Sequence, residues 1–271
     1  MGRSPPGRFV TAAQPELEEL LALAESAARA AGAVLLDRFG APEREVQAKS
    51  SPTDPVSEAD VAAERTLRHL IGRHRPGDAV LGEEEGQEHG GETGLRWIVD
   101  PLDGTVNFLF GIPQWGVSVA CEDAQGALVG AVHDPLRGET FAARRDGPAT
   151  RNGQPVSGSR RADLATALVA TGFAYDASVR AAQGQVAARV LPRVRDLRRL
   201  GSAALDLAWT ACGRYDAYYE RGLNPWDLAA GALICARAGL EVHPLPASGE
   251  LPAGVVVGPP ALAGPLLELV G

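Results

Sequence analysis

The sequence predicts an α+β fold built from two closely joined halves that meet near residue 150. Three observations carry that expectation. Apolar residues recur at helical spacing near the N-terminus. Three apolar runs then succeed one another through the middle with only short polar turns, and the second half mixes single strands with helices. Strands that follow each other without intervening helices form a meander, which argues against a series of βαβ units.

In chain order, residues 1–14 are rich in Pro, Gly and Arg without periodicity and read as a flexible arm. A single domain over 15–271 follows, in halves of about 15–150 and 151–271. Leu17, Leu20, Leu21, Ala24, Ala28, Ala31, Val34 and Leu35 mark one face of a helix over 16–39, and Gly40 closes it. The polar stretch KSSPTDPVSEAD (49–60) holds two prolines and predicts an irregular loop. Ser57 then reads as an N-cap, with Asp60 three residues on completing a capping-box pattern, for a helix to about His74. AVLGEE (79–84) and LRWIVDP (95–101) are apolar runs that end abruptly in carboxylates. The meander WGVSVACED, GALVGAVHDP and ETFAARRD fills 115–146. Beyond it come the strand TALVATGF, a helix over about 177–195, a helix from Ser202 to Cys212 and the strand DAYYE (216–220). NPWDLAAGALICARAG (224–239) is a helix with Asn224 as N-cap and Pro225 at its first position. A short strand GVVVG and a helix over 260–270 complete the pattern.

Composition narrows the function. With 271 residues, 45% of them hydrophobic, a sizeable core is within reach. The net charge of −8 and the lack of Lys/Arg blocks argue against direct nucleic-acid contact or an anionic membrane surface. No run approaches the roughly 20 apolar residues of a membrane span, and MGRSPPGRF lacks the apolar stretch of a secretory signal. Cys121, Cys212 and Cys235 are odd in number, widely spaced and set in apolar stretches. They read as buried thiols of a cytoplasmic protein, not as a disulfide framework or a zinc site. Lys49 is the only lysine of the chain.

The informative feature is where the acids sit. Glu83 ends one strand, Asp100 and Asp103 end the next, and Asp227 lies in the first turn of a late helix. Strand ends and helix starts are places where a rigid scaffold holds polar groups. In WIVDPLDGT, Pro101 removes a backbone N–H and Gly104 permits a tight turn, so two acids can point into one cup from an irregular segment. An all-oxygen donor set suits Mg²⁺, Mn²⁺ or Ca²⁺. Singly, each acid has a plain structural alternative: a capping-box acid at Asp60, a helix-dipole partner at Asp227, a solvated turn at Glu83, Asx-turns at Asp100 and Asp103. Their joint occurrence favours a site.

GEE (82–84), WIVDPLDGTVNF (97–108) and NPWDLAAG (224–231) together resemble the inositol monophosphatase family of Mg²⁺-dependent, lithium-sensitive phosphomonoesterases. KSSPTDPVSEAD is similar to that family's mobile loop, and LGSAALDLAWTACGRYDAYYE (200–220) to its substrate-side segment. The resemblance spans about residues 16–240. It implies a layered αβαβα sandwich of the sugar-phosphatase type, assembled as a homodimer. It further implies that Glu83, Asp100 and the Leu102 carbonyl hold one Mg²⁺, and that Asp100, Asp103 and Asp227 hold a second. Glu83 would share a third, weaker ion near the loop opened by Lys49, and Mn²⁺ is an alternative metal. Thr105 and Asp60 would orient and deprotonate the attacking water. Asp103, Gly104, Thr105, Ser202, Ala203 and Glu220 would contact the substrate, with Glu220 accepting from polyol hydroxyls.

The chemistry agrees. Phosphomonoester hydrolysis needs a nucleophilic water, neutralised phosphate oxygens and a stabilised leaving alkoxide, all of which paired divalent ions supply. No Walker motif or Cys-x5-Arg nucleophile is present, and the five histidines are scattered. Arg221, beside Glu220, is a candidate for recruiting a second phosphate. Inositol 1-phosphate is the first expectation for substrate. Histidinol phosphate, fructose 1,6-bisphosphate, NADP and 3′-phosphoadenosine 5′-phosphate are the enzymatic alternatives. A regulatory partner of the transcription machinery is the non-enzymatic one.

Overall fold

The first amphipathic stretch folds as helix α1 (Gln14–Leu36) and lays Leu17, Leu20, Ala24, Ala28, Ala31 and Leu35 into the core. The structure is a computed structural model that describes residues 14–40, 46–48, 55–87 and 91–271. The arm over 1–13 and Lys49 lie outside the described residues. The polar stretch is not irregular throughout: β2 (Pro55–Ser57) inside it pairs antiparallel with β1 (Val46–Ala48) just before it. Helix α2 (Glu58–His74) then buries Ala59, Ala63, Leu67 and Ile71, a spacing that keeps one face inward. What the Ser57 side chain does lies outside the described side chains.

The apolar runs of the first half form one sheet. Its members are β3 (Ala79–Gly82), β4 (Gly86–Gln87), β5 (Arg96–Asp103), β6 (Gly116–Asp123), β7 (Gly126–Asp134), β8 (Glu139–Arg144), β9 (Thr150–Arg151) and β10 (Gln154–Pro155). The spatial order is β10-β9-β8-β7-β6-β5-β3-β4, antiparallel throughout except for the β3–β5 pair. One turn of helix, α3 (Thr105–Leu109), separates β5 from β6.

The second half supplies β11 (Leu168–Thr171), α4 (Ala177–Val190), β12 (Asp196–Arg198), α5 (Ala203–Ala211), β13 (Ala217–Arg221), α6 (Pro225–Arg237), β14 (Glu241–Leu245), β15 (Gly254–Gly258) and α7 (Pro260–Val270). Its five strands run in the order β12-β11-β13-β15-β14. The helix expected to reach residue 195 ends at Val190 and tightens into a 3-10 turn over Leu191–Arg193. Pro192 lacks the N–H that a longer α-helix needs. Strands β12 and β14 escape sequence reading because they are short and poorly buried, so no apolar alternation marks them.

Three apolar clusters define five layers. Helices α1 and α2 cover one face of the large sheet through Trp97, Val99, Trp115, Val119 and Val129. Helices α5 and α6 fill the space between the two sheets, with Leu205, Leu207 and Ile234 against Phe141 and Tyr218. Helices α4 and α7 close the far face of the small sheet through Val186, Val190, Leu262 and Leu266. The result is the αβαβα sandwich.

One irregularity positions the chemistry. Asp100 pairs with Ser118 and Asp103 with Gly116, so three steps along β5 face two along β6. Acids three apart on a regular strand would point to opposite faces. The extra residue is a bulge that restores parity and turns both carboxylates to one side. Pro101 sits inside it, where its missing N–H breaks no ladder bond. Asp103 thus belongs to a bulged strand and not to the irregular segment expected.

Candidate active site

The strand ends, the first turns of α2 and α6, and the segment before α5 converge on one cleft. Glu83, Asp100, Leu102, Asp103, Gly104, Thr105, Ser202, Ala203, Glu220 and Asp227 all line it. Of the expected site residues, only Lys49 falls outside the described part of the chain, and Asp60 stands behind the wall through Thr105.

Asp100, Asp103 and Asp227 bring one carboxylate oxygen each to within 4.8 Å of one another. Burial, together with the charges of Glu83, Asp103 and Asp227, pushes Asp100 well above the usual carboxylate range. Burial and the neighbouring Asp103 do the same to Asp227. Asp103 is raised by burial and partly held back by its partners. Ser202 Oγ donates to Asp103 Oδ2 at 2.6 Å and Ala204 N at 2.7 Å, so the hydroxyl of Ser202 is engaged with a carboxylate. Three buried or half-buried acids that repel one another, all with oxygen donors and without His or Cys among them, fit a hard divalent cation such as Mg²⁺.

Beside the acids, Thr105 Oγ1 stands 3.0 Å from Asp60 Oδ1 and 3.1 Å from the Leu102 carbonyl. Gly104 before it has φ +101°, and a Cβ there would stand 3.0 Å from the Gln114 carbonyl. A glycine is therefore required at this turn. At the other end, Tyr218 Oη donates to Glu220 Oε2 at 2.7 Å. Burial pushes Glu220 up to about 7, against the pull of Tyr218. Its carboxylate rests on the backbone of Gly172, where a Cβ would stand only 2.1 Å away.

Arg221 does not serve the cleft as expected. Its buried guanidinium bonds the carbonyls of Pro246, Pro252 and Val270, each at 2.9 Å, and so ties β13 to the C-terminal end. His133 is likewise structural, its Nδ1 within 3.0 Å of Thr140 Oγ1. Trp97 buttresses β5: it is buried and donates Nε1 to Asp78 Oδ2 at 2.9 Å.

Sequence reasoning missed three residues. Glu64 is fully buried and accepts from Glu84 N at 2.8 Å, Glu85 N at 3.0 Å and Arg68 Nε at 2.8 Å. It thereby holds the turn that carries Glu83. Its place four residues after Asp60 on the same helix face was the available signal. Asn107 donates Nδ2 to the carbonyls of Gln114 and Leu200, both at 2.7 Å, and so pins the segment before α5 against α3. Arg199 lines the cleft and carried no pattern in the sequence that set it apart.

Comparison with known proteins agrees with this geometry. The model of the inositol monophosphatase family matches residues 16–263. The inositol-1-monophosphatase of Mycobacterium leprae (strain TN) is 43% identical over 269 residues, 92% of this chain and 92% of that protein. The Nus factor SuhB of Salmonella typhimurium is 37% identical over 224 residues, 82% of this chain and 84% of that protein. The crystal structure of extragenic suppressor protein SuhB from Bartonella henselae overlays with a TM-score of 0.85 at 32% identity, covering 93% of this chain and 98% of that one. Matched along nearly its whole length, the chain belongs to the inositol monophosphatase family and so to the phosphatases.

Proposed function

We propose that the protein is a Mg²⁺-dependent phosphomonoesterase acting on a small polyol phosphate, with inositol 1-phosphate as its substrate. The observation that carries this reading is the juxtaposition of the Asp100–Asp103–Asp227 cluster with the Thr105–Asp60 pair in one cleft. Glu83, Asp100 and the Leu102 carbonyl would hold one ion and Asp100, Asp103 and Asp227 a second, with Glu83 also near a third. When bound, such ions neutralise the phosphate oxygens and make a coordinated water more acidic.

The residues divide the remaining work. Asp60 accepts the hydrogen bond of Thr105 Oγ1, which leaves the threonine oxygen lone pairs to orient a water and pass its proton to Asp60. That water forms the new P–O bond as the ester P–O bond breaks, and the leaving alkoxide takes up a proton to give the free alcohol. Gly104 and Thr105 offer backbone N–H groups to the phosphate. Glu220, held by Tyr218 and seated on Gly172, accepts from hydroxyls of the alcohol. The helix of Ser202 and Ala203 shapes the wall, and Ser202 fixes Asp103. A homodimer and a cytoplasmic location belong to the same proposal; no described helix is long and apolar enough to cross a membrane.

Kinetics on a panel of phosphomonoesters tests it. Inositol 1-phosphate should give the highest kcat/KM with Mg²⁺, no turnover in EDTA, and inhibition by Li⁺. A histidinol phosphate value well above every inositol phosphate would overturn the substrate assignment. The name Nus factor carried by the Salmonella relative favours a second reading, a role beside the transcription machinery. An Asp103→Asn variant separates the two: a phosphatase-dead protein that still restores a wild-type phenotype would favour the partner role.

A further inference from the structure

The cleft wall carries the carboxylates Glu83, Asp100, Asp103, Glu220 and Asp227 and two arginines. The arginines have different fates. The head of Arg221 is buried and spent on three backbone carbonyls. Arg199 is exposed, and among the described residues no hydrogen bond or ion pair engages its guanidinium.

Its position is nonetheless defined. Nη1 of Arg199 lies against the bare backbone of Gly201, where a Cβ would stand 2.6 Å from it. The neighbouring Leu200 carbonyl is pinned by Asn107 at 2.7 Å. The charged head therefore rests on a fixed ledge of the wall. Arg199 and Glu220, the acceptor proposed for the hydroxyls of the alcohol, line the same cleft.

A guanidinium offers five donors in a planar fork that matches two oxygens of a phosphate or carboxylate. A free fork beside a hydroxyl acceptor suits an alcohol that carries both hydroxyls and an anion. We propose that Arg199 is a specificity-determining residue that pairs with a second anionic group on the alcohol part of the substrate. This inference rests on the phosphomonoesterase reading.

Two matched pairs of esters test it: myo-inositol 1-phosphate with its 1,4-bisphosphate, and glucose 1-phosphate with glucuronic acid 1-phosphate. The readout is the ratio of kcat/KM for the ester that carries the second anionic group over the one that lacks it. Arg199→Ala should lower that ratio about tenfold or more in the pair whose anion reaches the fork, through KM. Arg199→Lys, which keeps the charge and loses the fork, should fall between. The pair that responds identifies phosphate or carboxylate as the group read. A ratio unaltered in both pairs, or an equal loss on all four esters, overturns the role of Arg199 while the enzyme is active. A wild-type protein that hydrolyses none of them overturns the underlying reading as well.

Discussion

Thr105 Oγ1 lies 3.0 Å from Asp60 Oδ1, although the two residues are 45 apart in the chain. The contact joins the first residue of α3, two beyond the bulged strand β5, to the first turn of α2. Both side chains are buried, so the pair keeps its geometry without competition from bulk water.

Breaking that pair should slow chemistry without emptying the cleft. Asp60→Asn removes the proton acceptor and should lower kcat on inositol 1-phosphate by about 10²–10⁴-fold. Thr105→Val should act similarly, while Thr105→Ser retains the hydroxyl and most of the rate. The Mg²⁺ half-saturation should move little in all three. An Asp60→Asn enzyme within a few-fold of wild type would remove Asp60 from the mechanism.

Glu64 makes a different case, because it touches the chain and not the substrate. Its carboxylate satisfies two backbone N–H groups of the turn that bears Glu83. Glu64→Ala removes the acceptor of both part-buried N–H groups, a cost of about 1 kcal/mol for each bond lost. The melting temperature should fall, and the Mg²⁺ concentration for half-maximal stabilisation in a melt should rise about tenfold. Loss of melting temperature with unaltered Mg²⁺ affinity would reduce Glu64 to a purely structural role.

Much of this was legible in advance, and the gaps have physical reasons. Acids that end apolar runs pointed to Glu83, Asp100, Asp103 and Asp227 because a strand end is fixed by its ladder while its side chain stays open. Their meeting in space was not legible from period-2 alternation, which sets Asp100 and Asp103 on opposite faces. The bulge against Ser118 and Gly116 reverses that, and Pro101 between the acids and Gly104 after them were the hints. Arg221 does line the cleft beside Glu220, but successive residues of a strand point to opposite faces, and its guanidinium is engaged by backbone carbonyls behind the wall. Arg199 and Glu220 face one cleft from separate elements, and no local spacing encodes that meeting.

The acid cluster also sets a pH dependence for the metal-free protein. Asp100, Asp103 and Asp227 hold their protons above the usual carboxylate range in the folded state, and Glu220 does so to about 7. Between the unfolded values near 4 and those raised values, the folded protein binds more protons than the unfolded one. Stability in EDTA should therefore fall as pH rises through this window, with a lower melting temperature at pH 8 than at pH 6. Excess Mg²⁺ supplies the missing positive charge, so its stabilising increment should grow with pH. An increment that is flat or shrinks from pH 6 to 8 would contradict the assignment of these acids to a cation.

Gly172 offers a test of Glu220 that leaves the glutamate in place. A Cβ at Gly172 would stand 2.1 Å from the Glu220 carboxylate, far inside contact distance. The end of a glutamate side chain can swing away, so Gly172→Ala should fold but displace the carboxylate from Tyr218 Oη. Losing a hydroxyl contact to that group should raise KM for inositol 1-phosphate about tenfold and leave the Mg²⁺-induced melting shift intact. In a Glu220→Ala background the same substitution has nothing to displace and should add no further loss. Additive losses in the double variant would show that Gly172 acts on the cleft by another route.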